Sequence, residues 1–282
     1  MRLRYSLIPT FLTITALYLL SQPNWIFALA TTLYPGAIYN VQVEAFPVRP
    51  PIVALTIDDG PGPHTEAILA MLARHDAKAT FFPISGHLPG YESTLAQAVQ
   101  TGHELGNHLT ADRASVRLPS DEFEADLRAA EAALSPFLTK TSQPDMRLCW
   151  LRPGMGFYTP QMVDIARRYG YHLVLGSNFP YDTHVASPRF ASSFILNTVQ
   201  PGDIIVLHDG QGENAARGDR TLQTLSIILP ILKSRGYIVT TLSELTATAD
   251  ATVKIYTADD KTADDETTCI PSIHAGQRYN YH

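Results

Sequence analysis

Between Pro50 and Leu245, short apolar and β-branched runs alternate with stretches whose apolar residues recur at helical spacing. Ile52–Ile57 is a run of this first kind, closed by Asp58-Asp59-Gly60-Pro61, and it predicts a buried strand. Thr65–Arg74 then places Ile68, Met71 and Leu72 on one helical face. Thr80–Ile84 predicts a second strand and Glu92–Thr101 a second helix. Ser120 opens an amphipathic helix with Phe123, Leu127, Ala130, Leu134 and Phe137 along one stripe. Leu148–Arg152 predicts a strand. Thr159-Pro160 is a helix start, a capping hydroxyl followed by a proline whose missing N–H costs nothing in the first turn. Tyr171–Leu175, Asp203–His208 and Tyr237–Thr241 predict further strands, with a Thr221–Arg235 helix between the last two. Strands alternating with helices at this spacing imply βα units around a parallel sheet. No internal repeat points to a solenoid.

The flanks have a different texture. Arg2 and Arg4 are followed by an apolar run from Tyr5 to Leu20, and no Asp, Glu, Lys or Arg occurs from Tyr5 through Val43, 39 residues. A basic start before an apolar run reads as an export signal, with Ala28-Leu29-Ala30 as the cleavage site, or as an uncleaved anchor that sends the body outward. A buried core helix is the remaining reading. The expected organisation is a signal peptide or anchor over residues 1–30, a linker over 31–49, a catalytic domain over 50–247 and a polar tail over 248–282. The tail is rich in Thr and Asp and lacks sustained periodicity. The expected location is exported, with membrane association through residues 5–30.

Composition sharpens this picture. Only 17% of the 282 residues are charged, and the net charge is −6. An acidic balance argues against a nucleic-acid partner. The two cysteines, Cys149 and Cys269, allow one disulfide in an oxidising compartment, and a buried thiol at Cys149 is the equal alternative.

Ionisable residues collect where the predicted strands end: Asp58-Asp59, Arg152 and His208-Asp209. Active sites of parallel α/β proteins are built at the carboxyl ends of strands. These residues also lie in motifs that resemble, in order, those of the polysaccharide deacetylase (NodB-homology, carbohydrate esterase family 4) family. The motifs are Thr56-Ile-Asp-Asp-Gly-Pro61, Gly102-His-Glu-Leu-Gly-Asn-His108, Leu118-Pro-Ser-Asp-Glu-Phe123, Arg152-Pro-Gly-Met-Gly156 and Ile204-Ile-Val-Leu-His-Asp209. The resemblance spans about Val53 to Leu245.

The resemblance implies an α/β fold, a distorted (β/α) barrel of about seven parallel strands. It also implies a divalent metal (Zn, Mn, Co or Mg) and hydrolysis of an acetyl group from an N-acetylated amino sugar, so that the partner is a carbohydrate. By motif, Asp58 is the general base, His208 the general acid, and Arg152 the partner that keeps Asp58 ionised. Asp59 and His108 are metal ligands. Leu207 lines the acetyl pocket, and the backbone of Met155 donates to the oxyanion. His103 is structural.

Three departures mark a divergent branch. Asp112 stands where the family has a second ligand histidine. As a ligand it would favour oxygen-loving Mn²⁺ or Mg²⁺ over Zn²⁺; a surface aspartate beside Arg113 is the alternative. Gly154-Met155 replaces Pro-Tyr. The family's D-x-x-D-W region is reduced to Asn178-Phe-Pro-Tyr-Asp182, in which Asp182 would tune His208 while Phe179 and Tyr181 replace the lost tryptophan. Two other readings stand beside deacetylation: a non-catalytic carbohydrate-binding relative, and a metal amidohydrolase acting on a non-sugar amide.

Overall fold

A computed structural model describes residues 12–13, 15, 18–20, 22, 24–41, 43, 50–138 and 147–248. Residues 1–11, Cys269 and the residues beyond Thr248 lie outside the described residues, and with them part of the expected signal peptide or anchor, one partner of the expected disulfide and the expected tail. Among the described residues no helix is long and apolar enough to cross a membrane.

Eight strands and eight α-helices have defined bounds among the described residues. The strands are β1 (Ala37–Ile38), β2 (Ile52–Asp58), β3 (Thr80–Phe82), β4 (Glu104–Leu105), β5 (Trp150–Leu151), β6 (His172–Val174), β7 (Ile204–His208) and β8 (Ile238–Thr240). The helices are α1 (Asn24–Leu33), α2 (Thr65–Arg74), α3 (Glu92–Gln100), α4 (Ser120–Leu138), α5 (Pro160–Arg168), α6 (Pro188–Thr198), α7 (Ala216–Ser234) and α8 (Leu242–Thr248). Every strand ladder is parallel. One sheet runs β4-β3-β2-β7 with β8 also on β2, and the other runs β1-β6-β5. Single parallel bridges, Asn107 to Leu151 and Asn178 to Ile205, join the two sheets at their flanks. This is an α/β arrangement consistent with a distorted barrel rather than a regular closed one.

Local chemistry explains the element ends. Thr159 Oγ1 accepts the Met162 N–H at 3.3 Å, and Pro160 opens α5. Ser187 and Pro188 repeat the device at α6, whose Ser187 Oγ accepts the Phe190 N–H at 3.2 Å. The periodicity reading passed over α6, and it passed over β1, which lies inside the segment read as a linker.

Strand parity divides the core. On β2, Val53, Leu55 and Ile57 pack outward against Ile68, Leu72, Leu225 and Leu229 of the helices. Ile52 and Ala54 point inward among Phe82, Trp150, Val174 and Ile204. Successive side chains on a strand alternate faces, so the inward series of β2 continues through Thr56 to Asp58. The same count puts Arg152 just past β5 on the inner side, after Trp150 inside and Leu151 outside.

Candidate active site

Asp58 and His208 are direct register partners at the carboxyl ends of neighbouring strands β2 and β7. Both have the inward parity, so the site begins as a carboxylate and an imidazole one strand spacing apart, about 4.8 Å. Arg152 Nη1 donates to Asp58 Oδ1 at 2.6 Å and to Thr56 Oγ1 at 2.7 Å, and Nε donates to Val174 O at 3.3 Å. Its guanidinium also lies over the Phe82 ring, 4.3 Å from the centroid. Burial pulls the Arg152 pKa below its ordinary value against the opposing charge of Asp58. A buried pair of this kind loses most when one member is removed, because the other charge is left without a partner.

Asp59 could not share a site with Asp58 on a regular strand. Here Asp59 takes a left-handed φ of 66°, which turns its carboxylate toward the same mouth. Two contacts hold this sparsely populated conformation. His87 Nδ1 lies 2.8 Å from Asp59 O, and Ile84 N–H donates to Gly60 O at 2.9 Å. Asp209 fixes the turn from behind. It is fully buried, its Oδ2 accepts from Thr65 Oγ1, and its N–H donates to Asp58 O at 2.8 Å. The carboxyl fills the space over Gly62 and Gly218, where an added Cβ would stand 3.1 and 2.3 Å from Asp209 Oδ1.

His108 reaches the site from the loop after β4. Its Nδ1 donates to Arg152 O at 2.7 Å, which leaves Nε2 facing Asp59 Oδ1 at 3.3 Å. Burial opposes the Asp59 charge, but the hydrogen bond and charge of His108, with His208 and Arg217, hold its carboxyl well below the usual range. His108 responds oppositely. Burial disfavours its proton, and Asp59 and Asp58 outweigh that and raise its pKa. His103 is elsewhere, at the far end of the strands. It is buried, its Nδ1 accepts the Ala79 N–H at 3.1 Å, and burial pushes its pKa down to about 4.

His208 is set by Asp182. One carboxylate takes both the His208 backbone N–H, at 2.9 Å, and Nδ1, at 3.0 Å. Burial works against the imidazolium, but the charge and hydrogen bond of Asp182 outweigh it, and with Asp58 and Asp59 they push the pKa up to about 9. Phe179 stands edge-on to the His208 ring, with centroids 5.7 Å apart, and Tyr181 stands edge-on to Phe179 at 5.3 Å. Tyr181 has a left-handed φ of 57°, and its hydroxyl donates to Leu20 O at 2.8 Å. Gln22 brackets Phe179, donating to its carbonyl at 2.6 Å and accepting its N–H at 3.0 Å. Met155, at a left-handed φ of 63°, projects a 62% exposed side chain from the turn after Arg152.

Two expectations change. Leu207 does not line the site. It is fully buried among Leu55, Ile57 and Leu225 on the helix side, because the two-residue period puts it opposite His208. Val206, the register partner of Thr56, is the β7 residue on the inner face. Asp112 is not brought to His108. Its Oδ2 accepts from Asn214 Nδ2 at 3.2 Å and lies 3.9 Å from Arg217 Nη1. Among the described residues, no three His, Cys, Asp or Glu side chains are grouped to hold a metal ion. Arg217 was missed by the sequence reading. It donates from Nη1 to Asp59 Oδ2 at 2.7 Å, and nothing in its helix-start context announces that role.

Asp58, Asp59, His108 and His208 thus stand together at the carboxyl ends of the strands of a parallel α/β scaffold. Residues 47–174 match the family model described as polysaccharide deacetylase. A peptidoglycan-N-acetylglucosamine deacetylase of Bacillus cereus is 30% identical over 197 residues, covering 69% of this chain and 87% of that protein. A crystal structure of a peptidoglycan N-acetylglucosamine deacetylase superposes with a TM-score of 0.67 at 24% identity, over 78% of this chain and 96% of that one. A mutant of a CE4 family pseudoenzyme with restored activity superposes with a TM-score of 0.64 at 25% identity, over 76% of this chain and 72% of that one. The chain belongs to the polysaccharide deacetylase family, the NodB-homology group.

Proposed function

We propose that this protein is a metal-dependent deacetylase that removes the acetyl group of an N-acetylated amino sugar within a glycan. The observation that carries the reading is the facing pair Asp58 and His208, each held by its own partner, Arg152 and Asp182. Amide hydrolysis needs a base to take a proton from water and an acid to protonate the departing amine. Asp58, held in place by Arg152, accepts the water proton. His208, kept protonated by Asp182, donates to the amine nitrogen. Glycoside cleavage fits less well, since it uses two carboxyl groups flanking the bond.

Asp59 and His108 are suited to a divalent cation. With Nδ1 committed to a carbonyl, Nε2 stands 3.3 Å from Asp59 Oδ1, where a cation would replace the Nε2 proton that Asp59 favours. Two basic atoms at that separation match neighbouring ligands of one ion, about 3.0–3.4 Å apart for bonds near 2.1 Å. A cation held there by Asp59 and His108 would polarise the acetyl carbonyl and acidify water. Phe179, Tyr181 and Met155 form the mouth against which a sugar ring rests, and the Met155 backbone N–H is the oxyanion donor in this reading.

Export is part of the proposal, supported by the uncharged leader behind Arg2 and Arg4 and by exposed Leu19, Leu20, Trp25, Leu29 and Leu33. The substrate then lies in or near a cell envelope. One observation favours a second reading, a carbohydrate binder without catalysis: Asp112 is turned from His108 and an arginine holds Asp59. Release of acetate from N-acetylglucosamine oligomers and peptidoglycan, with and without added Mn²⁺ or Zn²⁺, separates the two. No acetate under any metal, with retained glycan binding, would sink the deacetylase.

A further inference from the structure

Arg217 stands at the first turn of α7, one-fifth exposed on a long stem. Its guanidinium contributes the positive charge between two carboxylates: 2.7 Å from Asp59 Oδ2 and 3.9 Å from Asp112 Oδ2. Asn214, three residues earlier, holds the same Asp112 oxygen at 3.2 Å. The 214–217 segment therefore draws Asp112 toward itself, and His108 is left with Asp59 alone.

We infer that Arg217 is a resident counter-ion of the metal pocket, which a divalent cation must displace from Asp59 before Asp112 can turn in as a third ligand. The inference rests on the metal-dependent reading above. Arginine keeps its proton at any working pH, so its charge leaves only if the side chain moves. A cation on Asp59 Oδ1 with Arg217 still on Oδ2 would put two positive charges on one carboxylate that is mostly shielded from water, where repulsion is poorly screened. One-fifth of the Arg217 side chain reaches solvent, which gives it a path outward. Histidine at position 112 would carry no charge to attract the guanidinium, so the departure at that position and the arginine belong to one device that weakens resting metal affinity.

The test is calorimetric titration of Mn²⁺ and of Zn²⁺ into the metal-stripped full chain, as wild type, Arg217→Gln, Asp112→Asn and the double variant. Arg217→Gln is expected to bind metal at least tenfold more tightly. Asp112→Asn is expected to change wild-type affinity less than threefold but to weaken the Arg217→Gln protein at least tenfold. Equal or weaker binding by Arg217→Gln would overturn the inference, since the arginine would then support the site. An equal Asp112→Asn effect in both backgrounds would also overturn it. If neither wild type nor Arg217→Gln takes up metal, the metal-dependent reading itself fails; if wild type binds and Arg217→Gln gains nothing, this inference fails alone. Thermal unfolding of the stripped proteins verifies folding, and Arg217→Met, which keeps the stem and removes the charge, replaces a variant that does not fold.

Discussion

Asp58 carries one hydrogen bond to a buried guanidinium, so replacing it by asparagine removes the base while keeping the shape. Asp58→Asn should lower kcat by about 10²–10⁴ and also cost stability, since Arg152 loses its buried counter-charge; far-UV spectra and glycan binding verify the fold, and unchanged turnover would refute the assigned role. His208 gives a prediction with a sign. As the acid it must be protonated, so the rate falls as pH rises through its pKa of about 9. Asp182→Asn removes the charge that raises that pKa, and the falling limb of the pH–rate profile should move toward the ordinary histidine value of 6.5. A limb that stays in place would show that Asp182 does not set the proton on His208. The same shift bears on stability. A pKa raised on folding contributes stability that is complete below about 6.5 and lost as pH climbs through about 9. Asp58, Asp59, His108, Arg152 and His208 were legible as residue types in ordered motifs. Arg217 and His87 were not, because each meets Asp59 only through folding, across 158 and 28 residues of sequence.

At the scale of elements, strand parity decides what a motif can only suggest. Leu207 and His208 are adjacent in sequence and face opposite sides of β7. Leu207→Ala should therefore cost about 2–5 kcal/mol of stability without a selective rise in KM, whereas Val206→Ala should act on KM. Denaturant unfolding and Michaelis kinetics on both variants check this, and a KM effect confined to Leu207→Ala would restore it to the pocket. The helix α7 offers a second case. Gly218 faces the Asp209 carboxylate, and an alanine Cβ would stand 2.3 Å from its Oδ1. Gly218→Ala should destabilise by roughly 1–3 kcal/mol and lower activity further by shifting the turn that aims Asp59. In the sequence Gly218 lies ahead of the expected Thr221–Arg235 helix with nothing to mark it, because the carboxylate it faces comes from the end of β7.

For the whole molecule, the N-terminal segment is joined to the fold. β1 pairs with β6, Asn40 bridges to Asp203, and Ala37 and Val41 are buried. Deletion through Ala30 leaves β1 in place and should change the melting temperature little. Deletion through Val41 removes it and should cost about 2–4 kcal/mol, from burial of roughly 1.5–3 kcal/mol per aliphatic side chain. Thermal unfolding of the two truncations checks this, and equal melting temperatures would show that β1 adds nothing. By itself the sequence determined the alternation of strand and helix, the parallel α/β class, the family and the ionisable groups at strand ends. Each of these rests on local period or on residues adjacent in the chain. Tertiary structure decided which of two neighbours faces the site, where Asp112 turns, and which cation meets Asp59. Those outcomes depend on which strands and helices come to lie beside one another, and no local period encodes that.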